Sequence, residues 1–302
     1  MSEPSYKAAH DDFSAVVTEL SVMRQVATGM GFTEGPVWLP REDAVIFTDI
    51  PANALMRWNE ADGLSVYNAN SHFAIGLYAD ADERIIACEH TTRRLTRYER
   101  DGNVTTLAAY HGNHILNSTN DVVVRESDGA IFFTDPPFGV RAENGELHGY
   151  QQGMEYGGCN VFKVTDDPHA PQVVTSEIYR PNGLCFNRDE SALYVSDSSA
   201  DYHQVYKLTM NDDDTATNPE VFAVMPEGVP DGMRIDTEDR LYVAGLDGVY
   251  VYAPDSTYLG KLLVPEMVTN ICFGGENRNM LFITATTSLY GIELATTGNQ
   301  KP

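Results

Sequence analysis

The sequence predicts an all-β chain folded as a six-bladed β-propeller with four-stranded blades, and three observations carry that prediction. A strand-turn-strand unit recurs six times along the 302 residues. Its starts lie roughly 40 to 60 residues apart, the length of one four-stranded blade. No window longer than about ten residues keeps a helical period near 3.6.

The first copy is "EGPVWLPREDAVIFTD", Glu34 to Asp49. Beneath it fall "IGLYADADERIIACE" from Ile75, "NDVVVRESDGAIFFTD" from Asn120, "NGLCFNRDESALYVSD" from Asn182, "DGMRIDTEDRLYVAG" from Asp231 and "NICFGGENRNMLFITA" from Asn270. Each has a short alternating apolar run, a turn rich in Asp, Glu, Asn, Arg or Gly, and a second β-rich run. Further strands are expected between the copies at "ALMRWN", "LSVYNA", "RLTRYE", "VTTLAAY", "QVYKLTM" and "PEVFAVM". The chain reads as one domain, 1–302, with residues 1–20 as an N-terminal extension. "SVMRQVA", 21–27, is expected to be a strand that completes the last blade, which would remove exposed edges from the ring.

The balance of 44 acidic against 20 basic residues, a formal charge of −24, repels phosphate backbones and anionic lipid. Nucleic-acid and membrane-surface partners are therefore not expected. No apolar run reaches the roughly 20 residues that span a bilayer, and "MSEPSYKAAHDDF" lacks a basic region followed by an apolar one. A cytoplasmic protein is expected. Cys88, Cys159, Cys185 and Cys272 are far apart without C-x-x-C spacing, as buried free thiols would be.

The first strand of each blade lines the central channel, so equivalent positions form a ring about the axis. The ring residues are Glu34, Ile75, Asn120, Asn182, Asp231 and Asn270. A ring that only packed would carry small or apolar residues, as at Ile75; the other five bear oxygen. Two carboxylates and three amide carbonyls converging from different blades are costly to bury without a compensating charge, which one divalent cation would supply. An all-oxygen set favours Ca²⁺ or Mg²⁺, admits Mn²⁺ and suits Zn²⁺ less. The alternative is a network of Asx and Glu hydrogen bonds around ordered water.

The segments "FTEGPVW", "FTDIPANALMRW", "ACEHTTRRLTR", "NSTNDVVV", "FFTDPPFG", "RPNGLCF", "LYVSDS", "VPDGMRID" and "LFITATTSLY" together resemble the senescence marker protein, gluconolactonase and luciferin-regenerating enzyme superfamily, bacterial gluconolactonases most closely. The resemblance covers nearly the whole chain. It implies a six-bladed propeller with one catalytic divalent ion at the channel mouth, usually calcium or zinc. Glu34, Asn182 and Asp231 match the metal ligands, and Asn120 matches a fourth ligand or a substrate contact. Two departures stand out: Ile75-Gly76 replaces the common Asn-Gly of the second blade, and Ser118 stands where animal relatives carry an arginine.

The reaction implied is hydrolysis of a small-molecule lactone such as glucono-1,5-lactone, with calcium the first expectation for the ion and Mg²⁺, Mn²⁺ or Zn²⁺ as alternatives. Asp231 is expected to be ligand and general base, the metal-bound water being the alternative source of the nucleophile. Asn117 and Asp121, flanking Asn120, would orient it or touch substrate. Asp49, Asp135 and Asp197, each closing a second strand, read as turn caps. His90 reads as structural, and His111 and His114 as loop residues. The polar, glycine-rich stretch 136–158 would shape a pocket through Tyr150, Gln152 and Tyr156, or simply cover the surface. Competing readings are a lactonase or esterase of other specificity, an organophosphate hydrolase on the same fold, and a non-catalytic binding propeller.

Overall fold

Runs of continuous apolar character become the second strand of each blade, because neighbouring blades cover both of its faces. Ala44–Asp49, Ile85–Glu89, Ile131–Asp135, Ala192–Asp197 and Leu241–Gly245 are buried at every position. The alternating or polar outer strands, such as Gly63–Asn68 and Val104–Ala108, meet solvent instead. The computed structural model describes residues 5–140 and 153–299. Within them, six antiparallel sheets form the blades of a β-propeller.

The innermost strands are, in blade order, Thr33–Leu39, Ala74–Ala79, Val122–Val124, Pro181–Phe186, Met233–Ile235 and Val268–Gly274. Each pairs with the second strand, which pairs with a third, which pairs with a fourth. In the sixth blade the outer strand comes from the other end of the chain: Arg24–Thr28 runs antiparallel to Ser288–Glu293. The fifth blade carries an additional edge strand, Tyr6–Ala8, against Tyr258–Leu263, which the sequence reading did not anticipate. Between these two N-terminal strands, the 3-10 turn Asp11–Ala15 is capped by His10, whose Nδ1 accepts the Asp12 N–H at 3.2 Å, and it buries Phe13.

Aromatic rings lock adjacent blades. Trp38 stacks on Phe282 at 5.6 Å between blades one and six, Phe132 meets Phe186 edge-on at 5.0 Å between blades three and four, and Tyr242 meets Phe273 at 5.3 Å between blades five and six. His111 and His114, read as loop, pair across a two-residue ladder with Tyr110 and Ile115. Tyr110 also stacks on His169 at 4.6 Å, which gives this short excursion a packed side. No described helix is long and apolar enough to cross a membrane, and the four cysteines are buried and free.

Candidate active site at the channel mouth

The six ring residues sit where the innermost strands leave their ladders. Pairing with the second strand is irregular between Glu34 and Val37, Ala74 and Leu77, Pro181 and Leu184, and Val268 and Asn270. In blades three and five the strand begins only after Asn120 and Asp231. Such irregularities re-aim side chains, and here they coincide with the ring.

The glycine that follows a ring residue has a steric reason. A Cβ at Gly35 would lie 2.1 Å from the Ile75 carbonyl oxygen, at Gly76 2.4 Å from that of Asn120, and at Gly183 2.3 Å from that of Asp231. At Gly232 it would lie 2.0 Å from Asn270 Oδ1. The next blade, through its backbone at the first three and the Asn270 side chain at Gly232, passes so closely that only hydrogen fits.

Every joint between neighbouring blades is stitched at this level. Thr48 Oγ1 donates to the Ile75 carbonyl at 3.2 Å, Thr134 Oγ1 to Asn182 at 2.8 Å, Ser196 Oγ to Asp231 at 3.0 Å and Thr269 Oγ1 to Thr33 at 2.8 Å. The remaining two joints use backbone donors: Gly76 N–H to the Asn120 carbonyl and Gly232 N–H to that of Thr269, both at 2.9 Å. The hydroxyls of "FTD" and "VSD" therefore have a role that sequence reasoning missed, although their recurrence was visible.

Three acids share the channel. Burial, then the charge of Asp121, pushes Glu34 up to about 8, against the Gly35 N–H, the Asn270 amide and Arg234. Burial, then Glu34 and Asp121, raises Asp231 well above the usual carboxylate range. Asp121 is raised by burial and held back chiefly by Arg234. Arg234, 2% exposed, is the cation whose charge acts on Glu34 and Asp121. Three carboxylates against one guanidinium leave the mouth short of positive charge, and the donor set lacks sulfur and nitrogen.

Among the described residues no group of three or more His, Cys, Asp or Glu is spaced to hold a metal ion. A cation at the mouth must therefore draw on amide carbonyls beside Glu34 and Asp231, and Asn182 and Asn120 occupy that ring. Asn270 differs from them. Its Nδ2 donates to Glu34 Oε2 at 3.0 Å and its Oδ1 accepts the Ile271 N–H at 2.9 Å, so both ends of its amide are engaged and its effect is to orient Glu34. With that division, the residues present fit one hard divalent ion.

The other candidates are distributed around the ring. Asp121 stands where blades one, two, four and five carry glycine; its Oδ1 accepts the Val122 N–H at 2.9 Å and its Oδ2 is buried without a hydrogen bond. Asn117 is fully buried, its N–H bound to Asp135 Oδ2 at 2.7 Å and its Nδ2 to the Asp135 and Gly158 carbonyls at 3.0 and 3.2 Å. The Tyr156 hydroxyl donates to the same Asp135 oxygen. Asp49 caps the chain entering blade one through the Gly31 and Phe32 N–H groups, and Asp197 takes those of Tyr179 and Ser199. Ser118 donates to the Pro136 carbonyl at 2.7 Å and accepts the Gly139 N–H at 2.9 Å. His90 is buried against Gly139. Tyr150 and Gln152 lie outside the described residues.

Comparison with known proteins agrees with this architecture. The gluconolactonase of Zymomonas mobilis subsp. mobilis is 27% identical over 94% of this chain and 84% of its own length. Pentonolactonase XacC of Haloferax volcanii is 27% identical over 88% and 85%. The structure of XC5397 from Xanthomonas campestris, described as a gluconolactonase important in glucose secondary metabolic pathways, superposes with a TM-score of 0.88 at 29% identity, covering 96% of this chain and 95% of that one. Residues 32–287 match the family described as SMP-30/Gluconolactonase/LRE-like region, and the chain belongs to that family.

Proposed function

We propose that this chain is a lactonase that opens the ring of a sugar lactone such as glucono-1,5-lactone, using one divalent ion, calcium before Mg²⁺, Mn²⁺ or Zn²⁺, held by Glu34, Asn182, Asp231 and Asn120. The observation that carries the reading is the convergence of buried Glu34 and Asp121 with the partly exposed Asp231 on a mouth where Arg234 opposes the first two, in a chain whose relatives include a gluconolactonase and a pentonolactonase. When bound, the ion would supply positive charge for the oxygen that becomes negative as the carbonyl is attacked.

The chain's own residues do the remainder. Asn270 and the Gly35 N–H fix the Glu34 carboxylate, and Ser196 fixes the backbone of Asp231. Asp231, partly open to solvent, takes a proton from the water whose oxygen adds to the carbonyl carbon. The bond to the ring oxygen then breaks, and that oxygen leaves as a hydroxyl by receiving the proton that Asp231 took from the water, giving a hydroxy acid. Asn120, Asn117, Asp121 and Tyr156 are the side chains proposed to orient or contact substrate. Free buried thiols suit a reducing compartment, so we place the activity in the cytoplasm, and the charge of −24 disfavours nucleic acid as a partner.

The test is acid release from glucono-1,5-lactone after chelation and after adding back each ion, with metal content measured in parallel. Loss with chelator, return with one ion and absence of activity in Asp231→Ala are expected. Glu34→Gln should bind the ion at least tenfold more weakly, whereas Ile75→Val should bind it normally. Equal ion affinity in those two variants would remove Glu34 from the ligand set.

A further inference from the structure

Beside the ring, blades two and three bring together polar groups whose hydrogen bonding is incomplete. Asn120 N–H donates to the Thr134 carbonyl at 2.9 Å, so Asp135, the next residue, emerges at the mouth end of its strand. Asn117 lies three residues before Asn120 and is bound to Asp135 through both its backbone and its side-chain nitrogen. Arg93, in the turn that follows the second strand of blade two, donates from Nε to the Leu116 and Asn117 carbonyls at 2.6 and 2.8 Å. Arg93, Asn117 and Asp135 are thus one connected cluster, each at most 1% exposed.

Within that cluster Arg93 Nη1 and Nη2, Asn117 Oδ1 and Asp135 Oδ1 have no hydrogen-bond partner. The nearest charge to the guanidinium, Glu155, stands 4.0 Å from Nη1, and its other oxygen accepts the Ile115 N–H. Asp135 Oδ1 has no hydrogen-bond partner, and beyond its bonded Oδ2 the carboxylate has the electrostatic help of the Ser118 N–H and of Arg93. Two donor nitrogens and two acceptor oxygens left open in one buried place are expensive unless a polar group completes them. Their chemistry is specific: forked donors beside two acceptors match adjacent hydroxyls, each of which can accept from one and donate to the other.

We infer that Arg93, Asn117 and Asp135 form a hydroxyl-recognition subsite, in which Arg93 donates to, and Asn117 Oδ1 and Asp135 Oδ1 accept from, neighbouring hydroxyls of a polyhydroxylated lactone. The inference rests on the lactonase reading and extends it from the reacting carbonyl to the sugar's remaining groups. Ser118 does not compete for that role, since its hydroxyl is engaged on both sides by Pro136 and Gly139. A site built to complete hydrogen bonds discriminates strongly against an analogue that lacks the hydroxyls, because its own groups then stay open.

The experiment compares glucono-1,5-lactone with δ-valerolactone, the same ring without hydroxyls, in the full-length metal-loaded enzyme. Arg93→Gln removes both Nη donors but can place an amide nitrogen where Nε holds the two carbonyls. It should raise KM for the sugar lactone roughly 10- to 100-fold and change kcat/KM for δ-valerolactone by less than about twofold. Asp135→Asn should show the same split at smaller size, and the melting temperature of each variant reports folding. An equal loss on both lactones would make the cluster a structural prop; no change on either would mean ordered water only; both overturn the inference. If the wild-type enzyme opens neither lactone, the lactonase reading fails separately. Calorimetry with gluconate then decides the subsite: binding lost in Arg93→Gln supports it, and equal or absent binding in both proteins overturns it.

Discussion

Blades three and four carry the same words in sequence and use them differently. Asn182 is followed by Gly183, which the Asp231 carbonyl crowds; Asn120 is followed by Asp121, a third acid in the channel. Asp197 gives one oxygen to each of two backbone N–H groups, whereas Asp135 takes the Asn117 N–H and the Tyr156 hydroxyl on a single oxygen. Blade four closes its hydrogen bonds on itself, and blade three leaves them open toward the mouth. A repeat therefore fixes where a residue stands, while its neighbours decide whether it caps or recognises.

That contrast can be broken from the side of blade four first. Gly183→Ala would put a Cβ 2.3 Å from the Asp231 carbonyl oxygen and 2.7 Å from Gly232 Cα, contacts that only backbone movement relieves. We expect a loss of about 4 kcal/mol in stability together with ion binding, measured by denaturant unfolding and calorimetry. Asp121→Gly, the reciprocal exchange, should fold normally, and an unfolded Asp121→Gly would dissolve the distinction between the blades.

A smaller effect sharpens the contrast through pH. Burial holds Asp135 up to about 6 in the folded chain, against the Tyr156 hydroxyl and the N–H groups of Asn117 and Ser118, while an unfolded aspartate titrates near 3.9. The folded state therefore keeps this proton longer, so stability falls as pH rises from about 4 to 6 and is flat beyond, by on the order of 3 kcal/mol. Subtracting the unfolding profile of Asp135→Asn from that of the wild type isolates this step from the other raised acids. A difference curve without slope in that window would show that Asp135 is ordinary.

Smallest is the loss of a cap. Asp197→Ala leaves the Tyr179 and Ser199 N–H groups without their acceptor and should cost about 2 kcal/mol, with KM for the lactone unchanged. A raised KM at normal stability would place Asp197 among the recognition residues and erase the difference from Asp135.

How far the sequence could be read follows from the same physics. The six copies were legible because strand, turn and strand each leave a pattern, and the ring was legible because oxygen-bearing residues recur in phase. The glycine after the ring residue was visible as a turn signal, but its cause, a neighbouring blade that leaves no room for a Cβ, belongs to a contact between blades. The same holds for Thr48, Thr134 and Ser196, whose acceptors lie on the next blade. Tyr6–Ala8 has three residues and two exposed positions, too little for a period to register. Arg93 sits in "TTRRLTR" with nothing to separate it from Arg94, which pairs with Glu89 at 2.9 Å. Only the fold carries Arg93 to Asn117, and only the fold divides Asn270 from Asn182.

The seam of the ring has a consequence for the chain as it is made. Arg24 pairs with Gly291, and Tyr6 with Leu262, so these residues are synthesised more than 250 positions before the strands that complete their pairing. At about 5–20 residues per second, the strand Arg24–Thr28 waits roughly 15 to 50 s for the segment it completes. Blades one to four can assemble during that interval, each joint stitched as the next blade arrives. Closure of the sixth blade then waits for Arg24–Thr28 to meet Ser288–Glu293, and until it does the edge of Ser288–Glu293 lies open to any other strand in reach.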